Sequence, residues 1–464
     1  MKIIYVATII RRNVYIGIDD TDSSKGMCTT YLALELVKEF KGELDLIGYP
    51  RLVRLNPNIP WKTRGNGAVC VRLGAGKGRR SAIGELDGET VQMWSLEGAV
   101  KGGPTMKEAF DRVVTLVERY AHLNEKGTDS GILVSGRRPS AKLYWKAVRE
   151  VVRIRDARAM LPKGSFFRAY NTGRGIIGAS ASVAWVPRDR TYEVLVYREK
   201  GRWGTPRDVD VEGVKLLDKR FPSTFNNYDA RNCHATVVPA TPCPILIGIR
   251  GDDPSILPEA MRTIRSEDKD RWVIFETNQG TDDHVVRRSA VQKYQSAIMR
   301  GRVATLPQTI TGGHVLFELQ ALPKGRTYTC SAYEPTKEFR YVVRALAPGD
   351  LLTVFGSRTS SNPNTFNIEK LRVDRLAALF EKVGNPKCPE CGRSMKSIGR
   401  GQGYRCRRCG IKGKEFGARV VPLERGLSTG YYEVPVCARR HLFKPLKRMG
   451  PSSAPLRALK AGTI

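Results

Sequence analysis

No hydrophobic run in this chain of 464 residues approaches the ~18–20 apolar residues that a membrane span requires. The apolar start, MKIIYVATII, is too short, with no basic segment before it and no small-residue cleavage site after it, so no signal peptide is expected. Acid is the scarcer charge: 46 Asp+Glu stand against 78 Lys+Arg, a formal net charge of +32. That imbalance points to a polyanion partner, nucleic acid first, because neutralised phosphates release counterions. The plain alternative is a solvated basic surface. The ten cysteines make no disulfide framework in a chain this long. Four form two C-x-x-C pairs and six are scattered (Cys28, Cys70, Cys233, Cys243, Cys330, Cys437), which fits a reducing cytoplasm. Internal repeats and long low-complexity tracts are also missing. The length allows two to four domains, and 41% hydrophobic content with a mean hydropathy of -0.34 reads as soluble and globular.

What is present starts with an acidic knot. The strand-like VYIGI (14–18) runs into DDTDSSKGMCTT, which sets Asp19, Asp20 and Asp22 within four residues. TTYLALELVKEF follows as a helix with Ala33, Leu36, Val37 and Phe40 on one face. The knot therefore falls in a strand-to-helix turn, where α/β proteins place ligands. Free N–H groups at the helix start suit phosphate oxygens, with Ser23, Ser24, Gly26, Cys28 and Thr30 as the cradle. Lys25 adds neutralising charge. Carboxylates alone repel phosphate, but they bind it through Mg²⁺, which prefers a few carboxylates plus phosphate oxygens. A capped Asx turn or a calcium loop is the rival reading, although neither the EF-hand nor the Walker A pattern matches.

Further strands are expected in LDLIGYPRLVRLNPNIP, NGAVCVRL, GILVSG, TYEVLVYRE and RWVIFETNQGTDDHV, and helices in TMKEAFDRVVTLVERYAHL and SAKLYWKAVREVV. The glycine-rich NTGRGIIGASASVAWV places Gly173, Gly175 and Gly178 at G-x-G-x-x-G spacing, a pattern of little specificity alone, and reads as close packing in preference to a phosphate loop. From about Gly301 strand-rich segments with regular turn signals predict a five-stranded barrel, an OB-fold in preference to an SH3-like one. CPECGRSMKSIGRGQGYRCRRCG then pairs Cys388 with Cys391 and Cys406 with Cys409, fourteen residues apart. Two such knuckles close a tetrahedral thiolate site for zinc; iron or a redox dithiol pair are the alternatives. From Lys382 onward 19 Lys+Arg face 4 Asp+Glu, so +15 of the net charge lies here, beside modules that commonly hold RNA or DNA.

YIGIDDTDSSKGMCTTYLA followed by YPRLVRLNPNIPWKTRGNGAV resembles the archaeal tRNA-isoleucine 2-agmatinylcytidine synthetase family, TiaS. The later order, RGIIGASASVAW, WGTPR, CHATVVPATPCPILIGIRG, TNQGTDDH, barrel and ribbon, fits as well, so the resemblance runs from Val14 to about Leu446. It implies a multidomain α/β plus β chain with a kinase-like ATP-binding domain (1–125, recruiting later segments up to 290) and a ferredoxin-like domain (126–290). An OB-fold (296–375), a zinc ribbon (380–446) and a basic tail (447–464) follow. It also implies a carbon–nitrogen ligase that joins agmatine to the wobble cytidine of a CAU-anticodon tRNA, through phosphorylation of the base carbonyl, with ATP going to AMP and two phosphates. ATP, Mg²⁺ and zinc are the implied cofactors, tRNA and agmatine the partners, with neither membrane nor protein partner and a cytoplasmic location. By position Thr29, after Cys28, is the autophosphorylated threonine, and Asp19, Asp20, Asp22 and Lys25 join it in catalysis. Asp229, Asp282 and Asp283 are candidates for the agmatine cation, and His234 and His284 for proton transfer, although each histidine also reads as a satisfied buried residue. A non-catalytic nucleic-acid-binding protein, or a ligase for another base or amine, would carry the same modules.

Overall fold

The computed structural model describes residues 10, 12–125, 127–288, 290–323, 325–359 and 365–450. The first nine residues and 451–464, most of the expected basic tail, lie outside the described residues. Among the described residues no helix is long and apolar enough to cross a membrane.

The N-terminal part is built on one large sheet. Its elements in chain order are β1 (Asn13–Asp19), α1 (Thr29–Glu39), β2 (Arg51–Arg54), β3 (Gly67–Gly74), the hairpin strands β4 (Gly76–Leu86) and β5 (Glu89–Glu97), and α2 (Met106–Tyr120). Then come β6 (Gly131–Ser135), α3 (Ala141–Arg149), β7 (Phe166–Ala169), α4 (Gly175–Ala184), β8 (Thr191–Arg198), β9 (Thr224–Phe225), β10 (Ile245–Gly251) and β11 (Lys269–Thr277). The strand order is β9-β10-β8-β11-β2-β3-β1-β6-β7, with the β4–β5 hairpin attached to β11. Pairing crosses residue 126: β1 lies antiparallel to β6, and β2 lies parallel to β11, with Glu276 opposite Arg51. A separate ferredoxin-like sheet is therefore not cut off at that point; both halves share hydrogen bonds.

Layering follows from side-chain alternation along β1. Ile16 and Ile18 face one side, where α1 and α2 bury Leu32, Leu36, Val113 and Val117. Tyr15 faces the other, against α3 and α4 with Leu143, Tyr144 and Trp185. Helix α2 starts on a capping box, Thr105 with Glu108, which satisfies two of its free amides. Helix α4 is buried along its whole length and lies directly on β1: a Cβ on Gly17 would sit 2.1 Å from the Ala179 carbonyl oxygen, and one on Gly178 would sit 1.9 Å from Asp19 Oδ2. The glycine-rich segment is thus close helix-to-strand packing.

Five strands close the barrel: β12 (Ser296–Val303), β13 (His314–Ala321), β14 (Thr327–Ala332), β15 (Leu351–Arg358) and β16 (Thr365–Arg375). β12 pairs β13 and β15, β13 pairs β14, β14 runs parallel to β16, and β16 pairs β15, so the ring is complete. FRYVVR, part of a segment expected to be strand-rich, instead forms the short helix Phe339–Arg344 between β14 and β15. Phe339, Val342 and Val343, spaced at i, i+3 and i+4, turn one apolar face into the barrel core. After the ribbon the chain returns: Gly430–Glu433 pairs β16, and the following residues pack back on the large sheet.

Asp283 accepts the Tyr144 hydroxyl at 2.6 Å, and burial raises its carboxyl to about 6. A carboxyl raised on folding binds its proton more tightly in the native state, so it stabilises the fold as pH falls from about 6 toward 4. Asp283→Asn should flatten that part of the stability–pH curve in urea titrations. A second expectation concerns the α4–β1 contact: Gly17→Ala should cost roughly 1–3 kcal/mol through overpacking, read as a lower denaturation midpoint.

Candidate active site and metal centre

The end of β1, the start of α1, the loop between β2 and β3, and the N-terminus of α4 surround a cleft of about 610 Å³. Asp19 is buried at the last position of β1. Burial pushes its carboxyl well above the usual range, and the charges of Asp20 and Asp22 push it further. Asp20 takes a left-handed turn at φ 52°, a conformation Asp tolerates better than most residues. Its two oxygens accept the Thr63 hydroxyl and the Asp129 amide, each at 2.7 Å, while burial holds its carboxyl at about 6. Asp22 pairs with Arg64 Nε at 2.5 Å. Helix α1 begins at Cys28 with no side-chain cap and no acidic residue in its first turn, which leaves its leading amides open to an anion. Thr29 lines the cleft with its Oγ1 3.2 Å from Thr21 Oγ1, and Cys28 Sγ lies 3.0 Å from Thr30 Oγ1.

Not every expected residue gathers there. Asp19, Asp20, Asp22, Cys28, Thr29, Thr30 and His234 line the cleft. Ser23, Ser24, Lys25 and Gly26 do not: the Ser23 amide bonds to the Gly26 carbonyl, and Lys25 reaches outward to Glu125 at 2.5 Å with 70% of its side chain exposed. Asp229, Asp282, Asp283 and His284 lie outside the lining. Asp229 accepts the Cys437 amide at 3.0 Å and the Asn232 amide at 3.1 Å. Asp282 holds Lys370 Nζ at 3.0 Å and the Lys444 amide at 2.8 Å. His284 is buried, and burial pushes its imidazole well below the usual range, so it stays neutral.

The cleft also contains residues that sequence reading passed over. Arg54, Arg64, Arg174 and Arg250 line the same cleft and make it strongly basic beside the aspartates. Glu193, buried, holds Arg250 with Nε at 2.9 Å. Trp61 stands half exposed at the mouth, with Arg174 stacked 4.3 Å from its ring centre. Cys437, Arg439 and His441 reach the cleft from the segment after the ribbon. The WKTR in the polar loop after β2 was the available signal, since an aromatic followed by two basic residues offers a nucleic acid both a stacking face and positive charge. The C-terminal contributors gave none.

Among the described residues only Cys388, Cys391, Cys406 and Cys409 bring three or more potential ligand atoms together, all four sulfurs within 4.8 Å of one another. Tetrahedral zinc thiolates need sulfurs about 3.8 Å apart. The two knuckles repeat one pattern: Gly392 and Gly410, at φ 69° and 74°, donate to the carbonyls of Cys388 and Cys406 at 2.9 and 3.0 Å. The donor set and its geometry fit Zn²⁺. Asp19, Asp20 and Asp22 do not bring three ligand atoms together in this way.

Family models described as the TiaS TCKD domain, the TiaS FLD domain and the TiaS C-terminal zinc ribbon domain match residues 15–172, 173–284 and 385–427. The isoleucine-2 tRNA 2-agmatinylcytidine synthetase TiaS of Archaeoglobus fulgidus is 41% identical over 447 residues, covering 94% of this chain and 97% of its own. That of Methanocaldococcus jannaschii is 38% identical over 445 residues, covering 94% and 98%. Among solved structures, a complex of TiaS with the isoleucine-2 tRNA and ATP matches with a TM-score of 0.81 at 39% identity, covering 95% of this chain and 98% of that one. A complex of TiaS with the same tRNA, AMPCPP and agmatine matches at 0.78 and 37%, covering 95% and 98%.

Cys388→Ser should release the ribbon's metal and melt this module while the sheet stays folded. Elemental analysis of protein purified without chelator checks it: about one zinc per chain in the parent, and a clear loss in the variant.

Proposed function

The chain belongs to the TiaS family, and on that premise we propose that its cleft attaches agmatine to the wobble cytidine of the CAU-anticodon isoleucine tRNA at the expense of ATP. The observation that carries this reading is the meeting of an uncapped helix N-terminus with three carboxylates, two of them held up by burial, in one cleft. That combination suits a nucleotide polyphosphate with its cation. Asp19, Asp20 and Asp22 would hold Mg²⁺, whose chemistry there is neutralisation of the polyphosphate charge.

In this reading the α1 amides bind phosphate oxygens, and Arg54, Arg64 and Arg250 neutralise charge that develops in transfer. The base carbonyl oxygen takes a phosphoryl group and leaves as phosphate when the primary amine of agmatine attacks the same carbon. Thr29 lines the cleft, which supports its hydroxyl as the one that would take a phosphoryl group itself. Trp61 offers a flat face at the mouth for a flipped cytosine, since base–aromatic stacking tolerates an exposed ring. Glu150, an exposed carboxylate on the lining, is our choice for the agmatine guanidinium, because Asp229, Asp282 and Asp283 are spent on other partners. Lys25 is spent on Glu125 and has no part in the reading.

The domain names follow as part of the proposal. Residues 15–172 would be the kinase-like part and 173–284 the ferredoxin-like part, which keeps the β1–β6 pairing within one unit. The barrel's closure order, with a parallel β14–β16 pair and a helix between its third and fourth strands, supports an OB-fold. A cytoplasmic enzyme fits a chain working on tRNA with ten free cysteines among its described residues.

Mass spectrometry of a CAU-anticodon tRNA incubated with the protein, ATP and agmatine tests the proposal. The wobble cytidine should gain the mass of agmatine less water; unchanged RNA would sink it. Asp20→Asn and Asp22→Asn should each lower ATP consumption by roughly two orders of magnitude or more while tRNA affinity stays near the parent's. Full ATP turnover in both variants would reduce the knot to a capped turn.

A further inference from the structure

At the opposite end of β1 from Asp19, roughly 13 Å away at the rise of a strand, lies a second recess of about 290 Å³. Four arginines line it, Arg51, Arg72, Arg138 and Arg190, against one carboxylate, Glu276. Glu276 is fully engaged: Arg51 Nε lies 2.9 Å from one oxygen and Arg190 2.9 Å from the other. Arg72 pairs with Glu97. Arg138 has no ion pair among the described residues. Instead its guanidinium stacks 5.1 Å from the Tyr15 ring centre, and Arg72 stacks on the same ring at 5.4 Å. The Nε atoms of both Arg72 and Arg138 are buried without an acceptor. Two guanidinium groups therefore share one aromatic ring in a recess with more positive charge than its carboxylates offset, and with donors left unsatisfied. Buried polar groups are seldom left so.

We infer that this recess binds phosphate oxygens, either as a free diphosphate or as a phosphate of an RNA backbone. Arginine forks match phosphate geometry with paired N–H donors, and the sign of the recess rejects a cation such as agmatine. The volume admits a diphosphate or a single nucleotide's phosphate and sugar, and not a folded segment. The RNA form rests on the tRNA reading above, whereas the diphosphate form does not.

Arg138→Gln in the full chain tests it, because a half-buried side chain with no ion pair is replaceable without unfolding. Two measurements are read on parent and variant: isothermal titration with pyrophosphate, and the salt dependence of tRNA binding. A loss of one class of pyrophosphate site, tenfold weaker or more, with an unchanged salt slope, identifies a free diphosphate. A salt slope shallower by about 0.9, one phosphate's worth, identifies the RNA backbone. ATP consumption at saturating tRNA should be unaltered in either case, since the cleft is untouched. If pyrophosphate binding and the salt slope are both those of the parent, the recess binds no phosphate and the proposal falls.

Discussion

The contact between α4 and β1 sets where everything else in the cleft can be. Two positions without a Cβ let the helix lie on the strand, Gly17 facing the Ala179 carbonyl and Gly178 facing the Asp19 carboxyl, and a third, Gly175, lets it lie against the Asp129 carbonyl just before β6. Moving the helix outward by one methyl group would open the end of β1 to water. Asp19 would then be solvated, and its carboxyl would no longer be raised by burial. The same contact joins strands from both sides of residue 126, because α4 packs on β1, β3 and β6 together. Charge is concentrated here at a cost in folding free energy, which is the common condition of catalytic sites.

A second constraint comes from the C-terminal return. Lys370, on the barrel, is almost wholly buried and holds Asp282 at 3.0 Å and the Lys444 carbonyl at 2.7 Å. Arg440 reaches Asn58 at 2.7 Å, and the Gly280 amide donates to the His441 carbonyl at 2.8 Å. The segment beyond the ribbon is thereby stitched to the large sheet and delivers Cys437, Arg439 and His441 to the cleft. Breaking a buried charge pair such as Asp282–Lys370 typically costs several kcal/mol, so these aspartates serve as fasteners between modules. Their acidity was legible in the sequence; their use was not.

Much of the fold could be read from periodicity. The first strand and helix, the α2 helix and the two knuckles sit where their patterns put them, because local rules decide them: a short β-branched apolar run, a 3.6-residue period with a Thr-x-x-Glu cap on α2, and glycine after each C-x-x-C. Helix α4 was not legible as a helix, since glycine and serine have poor helix propensity and only tertiary burial makes them helical. The short FRYVVR helix escaped for the opposite reason, its β-branched valines favouring strand. In the site, the carboxylates and Thr29 were visible as a cluster in sequence. Arg54, Arg250, Glu193 and His441 were not, because they meet only through strand pairing and the C-terminal return. Lys25 shows the limit of adjacency: next to the knot in sequence, it points away from it.

In the proposed function the buried aspartates work with a divalent cation on a nucleotide. Equilibrium binding of a non-hydrolysable ATP analogue, measured with excess Mg²⁺ and again in EDTA, tests it most directly. Binding should be saturable with Mg²⁺ and at least tenfold weaker in EDTA, because carboxylates without a bridging cation repel a bare polyphosphate. Equal affinity in both conditions would contradict it.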